Sequence, residues 1–193
     1  MTPVPDPDLD ILARLSSHLA AALGAIGDHQ LAWATPCTDW DLAALVDHVT
    51  GGNWFTTQIL GGQTAEAALT KTKAQFGGGG ASLTEATSSV NDQVTAFLQP
   101  GVLERSWHHV AGDLTGRQIL RLRLHDLIVH TWDIKQTLEP PASLAADLVR
   151  WGLAELSDPE SLTAKHFALA SVPGPEDIQD PAIAYLSGFD RHL

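Results

Sequence analysis

The residues best suited to chemistry form an Asp-x-x-x-His pair, Asp126 and His130, in the run Arg121-Leu-Arg-Leu-His-Asp-Leu-Ile-Val-His-Thr-Trp-Asp133. On a helix, side chains four apart stand one turn above the other on a single face. The carboxylate and the imidazole would then point into the same space. A second imidazole, His48, sits in another apolar helical run, Leu42-Ala-Ala-Leu-Val-Asp-His-Val49. One carboxylate and two imidazoles from two facing helices would make a three-ligand metal site with positions left open, as in catalytic rather than structural sites. These borderline ligands suit zinc, nickel, iron(II) or manganese. An ion held there would act as a Lewis acid, or lower the pKa of a bound water or thiol. The plain alternative is a helix-face Asp–His hydrogen bond that needs no metal, because an acidic chain with nine histidines meets this spacing by chance.

Several neighbours could serve such a site. Asp133 lies three residues after His130 and shares its face, so it could accept a hydrogen bond from a ligand imidazole; it could equally hold a salt bridge. Trp54 and Trp132 could line a pocket or belong to the core. His108 and His109, in Trp107-His-His109, are expected in a loop over the bundle mouth, as proton shuttles or as plain surface residues. His125 projects ~100° away from Asp126 around a helix and reads as a flank residue. Cys37, the lone cysteine, reads as a small buried hydrophobe.

The elements that must position these residues are helical throughout. Ile11, Leu12, Leu15, Leu19, Leu23 and Ile26 recur at steps of three or four, giving a first helix from about Pro7 to about Gly27. Asp6 or Asp8 can cap it, with Pro7 in its first turn. Thr38, with Asp41 three residues on, approximates a capping box for a second helix. Gly51-Gly52 is expected to end or kink that helix, which resumes through Trp54 and Phe55 to about Leu60. Residues 71–81, with Gly77 to Gly80, read as a flexible surface loop. They lack the Gly-x-x-x-x-Gly-Lys-Ser/Thr pattern of a phosphate loop. Ser82-Leu-Thr-Glu85 opens a third long helix to about Leu98. Residues 102–114 read as a long ordered loop with a short extended piece. Thr115 caps a fourth helix from Gly116 to Leu138, ended by Pro140-Pro141. Ser143 opens a fifth through Leu156. The Pro-, Gly- and Asp-rich stretch from Ser157 to Asp180 is expected to wrap the surface. A last helix starts with Asp180 as cap and Pro181 at its first position, and ends at Gly188. The expected fold is all-α: a four-helix bundle with additional C-terminal helices. We expect one domain over residues 1–193, with a core at about 9–156 and a wrapping segment at 157–193.

Composition narrows the function. The chain has 193 residues and a 44% hydrophobic fraction, enough for a full core without disulfides. A net charge of −12 repels phosphate backbones and anionic surfaces, so neither nucleic acid nor membrane is an expected partner. No apolar run approaches the ~18 residues of a bilayer span. The acidic, proline-rich opening lacks the basic region of a secretory signal, and a single cysteine forbids an intrachain disulfide. Together these point to the cytoplasm.

Two segments carry a family likeness. Thr35-Pro-Cys-Thr-Asp-Trp-Asp-Leu-Ala-Ala-Leu-Val-Asp-His-Val-Thr-Gly-Gly52 resembles the second-helix signature of DinB-like metal-binding proteins, in the branch related to the metal-binding domain of mycothiol-dependent maleylpyruvate isomerase. Arg121 to Ile134 resembles the fourth-helix signature, and Phe167-Ala-Leu-Ala-Ser-Val-Pro-Gly-Pro-Glu176 resembles the C-terminal segment. The resemblance spans roughly residues 9–188. It implies a DinB-like four-helix bundle with a divalent metal, zinc foremost and nickel as alternative, on His48, Asp126 and His130. It also implies a low-molecular-weight thiol such as mycothiol, activated as its thiolate. Asp126 stands where many DinB-like proteins have His and the isomerase has Glu. The chain has no room for the isomerase's additional C-terminal domain, so maleylpyruvate as substrate does not carry over. The expectation is a metal-dependent, thiol-dependent transferase or isomerase acting on a small molecule, with a homodimer compatible with such bundles. The alternative is a non-catalytic helical protein binding a metal or a small ligand.

Overall fold

A computed structural model describes residues 6–77, 80–167 and 180–191. The described helices are α1 (Pro7–Gly24), α2 (Leu42–Leu60), α3 (Ala65–Phe76), α4 (Leu83–Phe97), α5 (Gly116–Leu138), α6 (Ala146–Leu156), α7 (Leu162–His166) and α8 (Pro181–Gly188). Between α4 and α5 lies a small antiparallel hairpin, β1 (Ser106–His109) with β2 (Gly112–Thr115), in the register Trp107 opposite Leu114. The fold is therefore the expected all-α bundle. Helices α1, α2, α4 and α5 pack on one another, α3 lies along α2, and α6 packs with α8.

Local chemistry sets the ends of these helices. Asp6 caps α1 by accepting from the backbone N–H of Asp8 and Leu9 at 3.0 and 3.3 Å, with Pro7 at the first position. Ser82 with Glu85 and Thr115 with Gln118 each close a reciprocal capping box, so α4 and α5 start where the sequence places them. Asp180 caps α8 through Ala182 and Ile183. Gly116 must lack a Cβ, because one would overlap the Val102 carbonyl. Gly112 takes a φ of 108° at the hairpin turn.

Four expectations are corrected. Helix α2 is capped by Asp41, which accepts from Ala44 N at 2.9 Å, and not by Thr38. Thr35 is the reason: its hydroxyl accepts from Cys37 N at 3.1 Å and donates to Trp40 O at 2.8 Å, folding residues 35–40 into a turn. Gly51-Gly52 neither ends nor kinks α2, which runs through to Leu60. Part of the expected 71–81 loop is the end of helix α3, capped by Thr64. That helix buries only Ala65 and Ala68, a stripe too thin to register as amphipathic. The third helix is followed by Gly77; Gly78 and Gly79 lie outside the described residues. Helix α6 begins at Ala146 rather than near Ser143 and has no side-chain cap. The expected loop at 102–114 holds the β1–β2 hairpin, and the wrapping segment opens with α7 before residues 168–179, which lie outside the described residues.

Helix α5 is the axis of the molecule. From Leu122 to Ile134 every residue is buried except the half-buried Asp126. Its N-terminal end is tied to α1 by charge: Arg117 Nη2 reaches Asp6 Oδ2 at 2.7 Å, and Arg121 Nε reaches Asp8 Oδ2 at 2.9 Å. The Arg117 hydrogen bond, against the upward push of burial and with help from the capped N–H groups, holds the Asp6 carboxyl below its ordinary 3.8. A carboxyl lowered on folding stabilises the fold above its unfolded value and loses that contribution as pH falls through the folded value. We predict that Asp6→Asn, which keeps a cap oxygen, flattens the loss of stability in urea denaturation below pH 3.8. Asp6→Ala should also cost about 1 kcal/mol at neutral pH.

Candidate metal centre

Helix α5 presents Asp126 and His130 one turn apart, and α2 presents His48 to them. Asp126 Oδ1 lies 3.3 Å from His48 Nε2 and 3.4 Å from His130 Nε2. The two rings meet edge to face, with centroids 4.7 Å apart. A tetrahedral ion with bonds of about 2.1 Å spaces its ligands about 3.4 Å apart. The two distances from Asp126 Oδ1 match that spacing, and all three ligand atoms lie within 4.8 Å of one another. Their chemistry fits as well: two imidazole Nε2 atoms and one carboxylate oxygen on one side, with the His48 flank open.

Behind these atoms, each ligand is held by a partner. Asp126 Oδ2 forms an ion pair with Arg123 Nη1, so the carboxylate offers only Oδ1 to the centre. Arg123 is buried and fully engaged. Its Nε donates to Gln93 Oε1 at 2.9 Å, and its Nη2 donates to Val49 O at 3.0 Å and to Asn53 Oδ1 at 2.9 Å. Gly52 makes room for it, since a Cβ there would come within 2.5 Å of Arg123 Nη1. Close approach of a guanidinium, not a kink, is what this glycine permits. His130 Nδ1 lies 2.8 Å from Asp133 Oδ2, the carboxylate-behind-imidazole arrangement that fixes a ligand ring and its tautomer.

These contacts set the protonation states of the metal-free site. Burial pushes the Asp126 carboxyl up, but the charges of Arg123, His130 and His48 overcome it and hold Asp126 well below the carboxylate range. Burial pushes His130 down. The Asp126 charge and hydrogen bonds with Asp126, Asp133 and Cys37 outweigh this and raise His130 well above 6.5. The two flanking carboxylates thus favour the protonated ring.

A second cluster shares His130: Cys37 Sγ, His130 and Asp133. It does not suit an ion, because a cation already fills it. Arg191 Nε and Nη2 reach Asp133 Oδ1 and Oδ2 at 2.8 and 3.1 Å, and Nη2 lies 3.0 Å from Cys37 Sγ.

Other expected residues lie elsewhere. Trp54 packs edge-on against Phe76, and Trp132 is buried with its Nε1 donating to Ala142 O, so neither walls the site. The aromatic that does is Trp40, with ring centroids 4.6 Å from His48 and 5.9 Å from His130. His108 and His109 do not join the three ligand residues. His109 packs on Phe55 near His166, and burial with the His166 charge lowers it to about 4. His125 is not a flank residue but fully buried, 2.8 Å from both Tyr185 Oη and Glu155 Oε2. Arg123, Trp40, Cys37 and Arg191 are the functional neighbours that spacing alone did not single out.

Beside His48 opens a groove of ≈ 600 Å³ between α2 and α3. His48, Gly52 and Phe55 form one wall and Leu69, Lys73 and Phe76 the other, with Trp40 beside them. The lining is mostly apolar, as small-molecule sites are.

A bundle of this topology with an Asp–His pair on its buried helix has the DinB-like fold. The chain belongs to the mycothiol maleylpyruvate isomerase N-terminal domain family, which matches residues 12–135. Two uncharacterised proteins of Mycobacterium tuberculosis, Rv0738 and MT0763, are each 25% identical over 126 residues, 63% of this chain. The match spans 62% of these relatives' length. A solved structure of a mycothiol-dependent maleylpyruvate isomerase superposes with a TM-score of 0.62 over 79% of this chain and 70% of its own. At 14% identity this likeness speaks to the fold alone.

The seat of Arg123 can be tested by one methyl group. We predict that Gly52→Ala destabilises by roughly 3 kcal/mol in chemical denaturation, because Arg123 must leave a buried, unpaired Asp126 or α2 must shift. Gly24→Ala, in open space at the end of α1, should change stability by no more than ~1 kcal/mol.

Proposed function

We propose that this protein is a metal-dependent enzyme of the thiol-dependent transferase or isomerase type, with His48, Asp126 and His130 holding a divalent ion. Zinc is foremost and nickel the alternative. The observation that carries this reading is the convergence of three ligand atoms at 3.3 and 3.4 Å with a carboxylate behind His130. When bound, the ion would supply Lewis acidity that favours the thiolate of a small thiol of the mycothiol type, and thiolate is the reactive form.

The chain's own residues have distinct parts in this reading. Arg123 balances the Asp126 charge and leaves one oxygen facing the site. Asp133 orients the His130 ring. His48, with its side chain 37% exposed, marks the open side, and the groove beside it would take the small molecule. Trp40 packs beside the two imidazole rings. The acidic surface argues against nucleic acid, and no helix among the described residues is long and apolar enough to cross a membrane.

Metal titration into protein stripped of ions is the direct test. Wild type should bind one zinc ion, and His130→Ala and Asp126→Asn should each weaken binding by at least about 100-fold. Unchanged metal content in both variants would refute the assignment. Because the His130 value is raised, binding near neutral pH should release about one proton and weaken as pH falls. Calorimetry in buffers of different ionisation enthalpy reads this directly. For the thiol, cobalt-loaded protein titrated with mycothiol should gain a sulfur-to-metal absorption band. Its absence would remove thiol activation and leave the metal site standing.

A second reading is a non-catalytic ligand-binding bundle. It is favoured by one observation: His48 lies within hydrogen-bond distance of Asp126, which also pairs with His130. It expects thermal stability to be indifferent to chelator. Tight metal binding instead raises the unfolding midpoint by mass action.

A further inference from the structure

The third residue after α8, Arg191, reaches back into the centre of the molecule. Helix α8 is followed by Phe189 and then Asp190, whose φ of 63° reverses the chain. Left-handed backbone is tolerated by Asp. Phe189 N and Arg191 N both donate to Leu186 O, at 2.9 and 3.0 Å, locking that turn. Arg191 is thereby aimed at α5. Its guanidinium forks onto the fully buried Asp133, donates from Nη1 to Phe189 O at 2.8 Å, and touches Cys37 Sγ. Tyr185 makes a second attachment about two turns away along α5, with its hydroxyl 2.8 Å from His125 Nδ1.

Asp133 has two duties that compete for the same oxygens. Its Oδ2 meets His130 Nδ1 at 2.8 Å and also accepts from Cys37 Sγ at 3.3 Å. A carboxylate without a counter-ion would not remain in this buried position. The Arg191 fork adds its charge to that of His130 beside Asp133 and fixes the carboxylate plane, because a planar guanidinium meets a carboxylate in one orientation. That plane decides where Oδ2 lies, and Oδ2 decides how the His130 ring is turned.

We propose that Arg191 is a positioning residue: by gripping Asp133 it turns His130 so that Nε2 faces Asp126 and His48, and so sets how tightly the site holds its ion. The second half rests on the metal reading above; the first does not. The helix most distant in sequence from α2 thus controls a ligand that faces α2. Arg191→Lys keeps the charge but loses the fork, and Arg191→Gln loses both.

Two measurements on the full chain test this. In metal-free protein with ¹⁵N-labelled histidine, the His130 Nδ1 proton should be hydrogen-bonded and slow to exchange in wild type. It should be weakened in Arg191→Lys and lost to exchange in Arg191→Gln. Zinc affinity, by competition with a chromophoric chelator, should fall roughly 10- to 100-fold in Arg191→Gln, with Arg191→Lys between. If both variants keep the wild-type His130 signal and zinc affinity, the proposal is overturned. If wild type takes up no zinc while the His130 proton still depends on Arg191, the metal reading fails and the positioning role stands. Should Arg191→Gln not fold, the Lys variant alone decides: an unchanged His130 proton and unchanged affinity sink the idea.

Discussion

The buried ion pair between Arg123 and Asp126 is the constraint around which the rest is arranged. Two opposite charges inside a bundle are stable together only if every remaining donor and acceptor is met. Arg123 meets this by reaching three helices. It takes acceptors from Val49 and Asn53 on α2 and from Gln93 on α4 while pairing with Asp126 on α5. Asn53 is held in turn through Ser89 on α4. The position of α2 against α5 is therefore fixed by hydrogen-bond geometry as well as by packing, and His48 is carried into register with Asp126 and His130. Gly52 follows from the same demand, since the guanidinium lies where any side chain at that position would begin.

Helix α5 repeats this solution along its length. Three ionisable residues are buried on it besides Arg123, two with partners from other elements and one, His130, with partners on α5 itself. His125 sits between Tyr185 and Glu155, Asp133 is gripped by Arg191, and His130 lies between Asp126 and Asp133. Burial lowers His125 against the pull of Glu155, so the ring is neutral. Glu155 is held ionised and Tyr185 protonated. Nε2–H then donates to the carboxylate, and Nδ1 accepts from the phenol. Buried polar chains of this kind specify one arrangement of helices more sharply than apolar packing does, because a misplaced partner leaves a charge unmet. The C-terminal helix is thus a structural part of the site and not a covering laid over it.

How much of this was legible follows from the range of each signal. Capping boxes are local, and Ser82/Glu85, Thr115/Gln118 and the Asp180-Pro181 start all appear in the fold. The Asp126–His130 pairing is local too, and its meeting with His48 followed from placing two apolar runs in one bundle. Periodicity failed where its premise failed. Helix α3 buries too little to show a stripe, and α5 has so little exposed face that "flank" has no meaning for His125. Cap choice failed at Thr38 because the hydroxyl of Thr35 organised the preceding turn. The long-range partners, Cys37 and Arg191 around Asp133, leave no trace in spacing. Arg123 did leave one: a cation three residues before Asp126, with paired glycines on the facing helix.

The three ligand residues differ in access, and the difference gives the site a direction. Side-chain exposure is 8% for His130, 15% for Asp126 and 37% for His48. The α5 pair is braced from behind by Arg123, Asp133 and Arg191, while His48 has Trp40 stacked beside it and the groove in front. Among the described residues, the groove opens on the His48 side, along the wall that α2 shares with α3. That wall is tied down beside His48, where Asp47 accepts from Gly80 N and Ala81 N at 3.0 and 2.7 Å. Asp47 and His48 are consecutive, so the residue that anchors the connection into α4 directly precedes the one that lines the groove. The rigid half of the candidate site is built on α5 and the accessible half on α2.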